Sequence, residues 1–219
     1  MHVEGFLHKL FAPVIHKTRV TALSKVVTAA ICTKKLKLSA LGRAIEGIQE
    51  RSGIQKVNRL LGNRHLLAQR ILIAKIVSSL LIGHKKHPEI IVDWTKYPNS
   101  DDVVLRAALS AEGRALTIYD ERHPIKKMGN RAIQKKFLKT LKKILPECEA
   151  IIVTDAGFHN DWFREVLKQD WGYVGRVRGL RKYSNNGNNF YSCKSLFKSD
   201  RTRKAGGLTV VSSPEGCHC

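Results

Sequence analysis

The sequence predicts an α/β protein in two parts, a helical N-terminal domain followed by a mixed β-sheet covered by helices. Three observations predict it. Residues 1–86 contain one proline, Pro13, and no strand-like alternation. From Glu89 the pattern changes to short runs of β-formers separated by helical stretches, in the order β-β-β-α-β-α-β. Two of those runs, Ile90-Ile91-Val92 and Ile151-Ile152-Val153, are wholly apolar, which marks central strands of a covered sheet. Each then meets an acid, Asp93 in "IIVDWTKYP" and Asp155 in "AIIVTDAGF".

In the helical part, "TRVTALSKVVTAAIC" repeats Val20, Leu23, Val26, Val27, Ala30 and Ile31 at helical spacing. "KLKLSALGRAIEG" predicts a short helix capped by Ser39, running through Leu41, Ala44 and Ile45 and stopped by Gly47. "SGIQKVNRLLGNRHL" predicts the next, with Ser52 as cap and Ile54, Val57, Leu60 and Leu61 on one face. The opposite face carries Lys56, Asn58 and Arg59, with Arg64 just past it. Two short helices around a Gly-containing turn, the second basic on its outer face, resemble a helix-turn-helix. Arg and Asn reach guanine and adenine edges in the major groove. An ordinary bundle helix presents the same residues to solvent; the charge of the chain favours DNA. "HLLAQRILIAKIVSSLLI" predicts one more helix, leading into the hinge "GHKKHPE".

In the second part, "EIIVDWTKY", "DVVLRAALSA" and "RALTIYDERH" read as strands. Their linkers, Pro98-Asn99-Ser100 and Glu112-Gly113, are short and polar, which predicts an antiparallel meander. "RAIQKKFLKTLKKIL" is a strongly basic amphipathic helix ended by Pro146. "AIIVTD" is the fourth strand, "NDWFREVLKQ" a helix and "GYVGRVRG" the fifth strand. Residues 183–219, with "SNNGNN" and "AGGLTVVSSPEG", are turn-rich and strand-poor.

Composition narrows the partners. Lys and Arg number 39 against 18 acids, a net charge of +21 with a pI near 10.1. Such an imbalance repels itself in a compact fold unless a polyanion relieves it, and nucleic acid is the usual one. The longest apolar stretch is interrupted by Arg70 and Lys75, and the N-terminus lacks the order of a secretory signal, so no membrane partner and a cytoplasmic location are expected. The cysteines, Cys32, Cys148, Cys193, Cys217 and Cys219, are odd in number and irregular in spacing, so no disulfide framework follows. The terminal "CHC" lacks a second half at zinc-site spacing. His84 and His87 read as solvated loop residues.

If the first and fourth strands are parallel neighbours, Asp93 and Asp155 converge at one sheet edge. Two close carboxylates repel, and a shared proton or a cation relieves them. Mg²⁺ (or Mn²⁺) suits hard oxygen ligands and takes one or two carboxylates plus substrate phosphates. That pairing composes metal-assisted phosphodiester cleavage, with Asp93 and Asp155 as both catalytic and metal-binding residues. Two plainer readings stand beside it: Asp93 pairs a nearby Lys or Arg, and Asp155 caps the helix that follows Gly157.

"IVDWT", "VTDAGF" and "GRVRG", with "LLGNRHL" upstream, resemble the DDE transposases of bacterial insertion sequences. The nearest likeness is to the cut-and-paste "IS-four" group that includes the transposase of the tetracycline-resistance composite transposon. The resemblance runs from about residue 20 to at least 195. It implies a helical domain, residues 1–86, that binds terminal inverted repeats of double-stranded DNA. It implies a partial ribonuclease-H-like catalytic domain over 89–182 and the start of a β-rich insertion over 183–219. Asp93 and Asp155 then match the first two acids of the family's Mg²⁺-binding triad. Arg176, Arg178 and Arg181 would hold DNA phosphate, and Arg43, Lys56, Asn58, Arg59, Asn63, Arg64 and His65 would contact DNA from the helical domain. A homodimer in the synaptic complex is a further expectation that the resemblance carries. Its third acid, a Glu on a helix beyond the insertion, has no counterpart here, because Glu165 falls on a different helix and Glu215 lies in the tail. The expectation is therefore a chain cut short within the insertion and impaired in strand cleavage and transfer. The alternative is a non-catalytic DNA-binding remnant or an inhibitor of transposition.

Overall fold

The structure, a computed structural model, describes residues 3–176, 182–184, 189–192 and 209–211. Its contacts divide the chain into two compact units, Met1–Val77 and Ser78–Cys219.

The first unit holds α1 (Val3–Phe11), α2 (Lys17–Thr33), α3 (Leu38–Arg43), α4 (Glu50–Leu61), α5 (Arg64–Ala68) and the start of α6 (Arg70–Ile82). Two apolar clusters hold it. Phe11, Ile15 and Val20 gather Leu66, Ile73 and Ile76, while Val26, Ala29, Leu41, Ile45 and Val57 tie α2, α3 and α4 together. At the crossing of α3 and α4 the backbones nearly touch. A Cβ on Gly53 would lie 2.1 Å from the Gly42 carbonyl oxygen, and one on Gly42 would lie 2.5 Å from the Ile54 Cα.

That crossing corrects the expected caps. Ser39 lies inside α3, which starts after Lys37 with no side-chain cap, and Ser52 lies inside α4, which starts after Gln49. Starting α4 ahead of Ser52 carries Gly53 onto Gly42, so close packing rather than cap chemistry fixes the start. The single long helix expected over 65–82 is also broken. The chain turns by 86° between the run Glu50–Ala68 and α6. At the corner, the Gln69 side chain donates to the Val14 carbonyl at 3.3 Å. Asn63 caps α5, accepting from the Leu66 N–H at 3.1 Å. Among the described residues no single helix is long and apolar enough to cross a membrane.

The second unit is α/β. Strands β1 (Glu89–Lys96), β2 (Asp102–Ala111) and β3 (Arg114–Pro124) form the antiparallel meander, followed by a 3-10 turn (Ile125–Lys127) and α7 (Arg131–Ile144). Then come β4 (Ile151–Thr154), α8 (Asn160–Leu167) and β5 (Gly172–Gly175). The sheet order is β3-β2-β1-β4-β5, with β4 parallel to both β1 and β5. The sheet is mixed, as its two apolar runs implied. Beyond it, β6 (Lys182–Ser184), β7 (Tyr191–Ser192) and β8 (Thr209–Val211) pair antiparallel in the order β7-β6-β8, a small sheet in a stretch that the sequence showed as strand-poor.

Register gives the main sheet two distinct faces. Tyr119, Ala107, Val92, Thr154 and Gly175 form one row across all its strands, and the first four are buried. Phe137 of α7 stacks on Tyr119 at 5.5 Å, and the Phe163 ring of α8 lies against Gly175, where a Cβ would come within 2.6 Å. Both helices therefore cover this face. Phe137, Leu138, Leu141 and Ile144 of α7 are at most 1% exposed. At about 1.5–3 kcal/mol each, an upper bound, their burial outweighs the repulsion among the exposed lysines of the same helix.

Candidate active site and nucleic-acid interface

The other face of the sheet carries the acids. The last registered row of the three parallel strands is Val92, Thr154 and Gly175. One residue further lie Asp93, inside β1 where its parallel pairing with β4 stops, and Asp155 and Arg176, just past the ends of β4 and β5; all three are exposed. The Arg176 N–H donates to the Thr154 carbonyl at 3.1 Å, which carries the pairing to this last position. Neighbouring strands run about 4.8 Å apart, which sets Asp93 and Asp155 side by side. On the other side of Asp93 the same row continues through Arg106 of β2 to Asp120 of β3, both exposed.

The electrostatics report the meeting. The Asp93 carboxyl is held above the usual carboxylate range, first by desolvation through partial burial, which acts although much of the residue faces solvent. The backbone N–H of Trp94 opposes this, the negative charge of Asp155 adds to it, and the Thr95 side chain and Arg106 oppose it more weakly. The attraction of Arg106 is the smallest of these influences, so the plainer reading of Asp93 as a structural ion-pair member is poorly supported. Asp155 accepts from the Gly157 N–H at 2.9 Å. The N-cap of α8 is His159, with no side-chain cap bond, so Asp155 closes the turn ahead of α8 and does not cap that helix. A Cβ on Gly157 would stand 3.0 Å from an Asp155 carboxylate oxygen, so glycine there leaves the acid room.

Two carboxylates on adjacent strands fit a hard divalent cation that keeps waters and shares itself with a phosphate. Among the described residues, no group of three or more His, Cys, Asp or Glu converges to hold a metal. Asp120 sits two strands from Asp93, about 10 Å away, with Arg106 between them. Glu165 belongs to the covered face. It bonds Lys168 at 2.8 Å and Lys135 of α7 at 3.2 Å, and these partners, Lys168 foremost, hold its carboxyl below the usual range. It is an ionic tie between α7 and α8, in keeping with its not being counted as a catalytic acid. Cys217, His218 and Cys219 lie outside the described residues.

In the first unit, Lys56, Arg59 and Asn63 line one cleft of about 380 Å³ with Arg19, Ser52 and Gln55. The Arg19 Nε is buried there without a hydrogen-bond partner. Asn58, Arg64 and His65 are exposed outside that cleft. Arg43 is also exposed, but its Nε is engaged by Glu50 at 2.6 Å. The Asn63 carbonyl oxygen is spent on the cap of α5, which leaves its amide N–H groups for a ligand. Arg178 and Arg181 lie outside the described residues.

Three residues of these sites escaped the reading of the sequence. Arg106 had a signal, as the single charge inside the apolar run of "DVVLRAALSA", and Asp120 follows once the register is known. Arg19 had none, because its position beside α4 is set by the helix crossing. No family model, curated protein or solved structure matches this chain.

Proposed function

We propose that the chain is a DNA-binding protein of the DDE-transposase kind, with a helical end-binding domain and a ribonuclease-H-like sheet. The observation that carries the reading is the convergence of Asp93 and Asp155 where the pairing of the parallel neighbours β1 and β4 stops. The strand order β3-β2-β1-β4-β5, with an antiparallel meander followed by two parallel crossovers, supports it. So does a charge of +21, which favours double-stranded DNA as the partner.

In this reading Asp93 and Asp155 hold a Mg²⁺ or Mn²⁺ ion. When bound, such an ion polarises a phosphodiester and lowers the pKa of a coordinated water. Arg176, next along the row, neutralises the phosphate that approaches the acids. Arg106 screens Asp93 from Asp120 and offers a second cation at the rim. Because the described residues supply two carboxylates and no third, the ion is held weakly, and the chain binds DNA without efficient strand cleavage. A protein that occupies transposon ends without cutting them competes with an active transposase, and pairing of two ends calls for a homodimer.

The test uses the purified chain, inverted-repeat DNA flanking its gene and a supercoiled plasmid bearing those repeats. The expected result is preferential binding of the repeats over scrambled DNA, with little nicking in Mg²⁺. Binding without preference overturns the end-binding reading. Robust nicking that Asp93→Ala abolishes overturns the non-cleaving one.

A further inference from the structure

The outer side of α7 carries charge that the fold does not use. Of its exposed cations, Arg131 pairs Asp161 at 2.7 Å, Lys135 pairs Glu165 at 3.2 Å, and Lys142 donates to the Gln169 carbonyl at 2.7 Å. Lys136, Lys139 and Lys143 are exposed and have no partner among the described residues. Their spacing of three and four residues stacks them in one stripe. The stripe is about 10 Å long at 1.5 Å per residue. Clustered unpaired lysines repel one another, and ordinary surface practice intersperses both signs.

We infer that this stripe is a second DNA-backbone contact, on the opposite side of the sheet from Asp93 and Asp155. It deepens the proposed function and rests on that reading of the chain as a DNA-binding protein. Duplex DNA presents one charge per about 1.7 Å of its axis, so a stripe of this length spans enough phosphates for each lysine to find one. An anionic membrane fits less well. A membrane-surface helix inserts an apolar face beside its lysines, and the apolar face of α7 is buried against the sheet. Lysines at phosphates carry no base information, so the contact is sequence-independent. The acids and the stripe lie on opposite faces, so one straight duplex cannot touch both. The stripe holds either a bent path of the same DNA or a separate duplex segment.

The experiment compares the full chain with Lys136→Gln/Lys139→Gln/Lys143→Gln and with the corresponding triple Arg variant. Gln and Arg keep the helix propensity of Lys, and far-UV circular dichroism checks the fold. Binding to a random-sequence duplex is measured across a salt series. Release of three phosphate contacts lowers the slope of log K against log salt by about 2.7 in the Gln variant and leaves it unchanged in the Arg variant. From about 50 to about 200 mM salt, the parent then weakens roughly 40-fold more than the Gln variant. A Gln variant with the parental slope overturns the stripe alone. Binding to phosphatidylserine vesicles that depends on the stripe, with duplex binding unaffected, also overturns it. A parent chain that does not bind duplex DNA sinks this inference together with the proposed function.

Discussion

Gly53→Ala sets helix propensity against packing inside α4. Propensity alone favours alanine by about 1 kcal/mol in a helix interior. At this position the new methyl would stand 2.1 Å from the Gly42 carbonyl oxygen, whereas real Cβ contacts essentially never fall under 3.0 Å. The neighbour is backbone and cannot rotate away, so α3 and α4 must separate by roughly 1 Å. A gap of that size forfeits a quarter to a half of the contact energy across it. Leu41, Ile45 and Val57, all buried in this seam, contribute about 1.5–3 kcal/mol each, so the loss centres near 3 kcal/mol. After the propensity gain, the net destabilisation is about 2 kcal/mol, a fall in Tm of about 4–8 °C for a chain of this length. Thermal and urea unfolding of the full chain measure it. Gly5→Ala, at an exposed position of α1 where a Cβ meets nothing within 4 Å, is the control and should gain stability. A Gly53→Ala protein as stable as its parent would refute the reasoning, because it would mean the helices do not cross at these glycines.

Three further outcomes follow from the same geometry. Glu165→Gln should cost about 1 kcal/mol at neutral pH by urea unfolding, as Lys135 and Lys168 lose their partner. Its carboxyl is depressed in the folded chain, so its contribution is present above the unfolded carboxylate range and lost as pH falls through the folded value; the difference from the parent should vanish in acid. Asp93 has the opposite sign. Its raised pKa makes its contribution present below the unfolded value and lost as pH rises through the folded one, so Asp93→Asn should stabilise the metal-free chain at neutral pH by a few tenths of a kcal/mol, and less in acid. Lys56→Gln/Arg59→Gln should lower the salt slope for duplex binding by about 1.8, since both line the cleft with Arg19.

Much of the sheet was legible because strands announce themselves locally. "DVVLRAALSA" is β2 residue for residue, and the apolar runs before Asp93 and Asp155 marked β1 and β4 as central. Their centrality implied that they are neighbours, but their parallel sense stayed a condition that only the observed register met, and it is what joins residues 62 positions apart. What stayed hidden depends on contacts between elements. Nothing local in "QERSGIQ" says that Gly53 must meet Gly42, so Ser52 read as a cap. The corner at Gln69 has neither proline nor glycine to mark it and involves a bond to Val14, 55 residues earlier. The charged row through Asp120, Arg106 and Asp93 required a register that a bulge at Ala107 and Ala108 shifts, and no pattern in the strands alone revealed it.

Manganese binding to the metal-free chain, followed by EPR, tests most directly whether Asp93 and Asp155 share one ion. The account predicts one weak site. Asp93→Asn and Asp155→Asn should each lower its affinity at least about tenfold, since losing a direct ligand costs no less than losing an outer partner, while Asp120→Asn leaves it unchanged. An ion whose affinity is indifferent to Asp93 and Asp155, or a chain that takes up none at millimolar manganese, would contradict it.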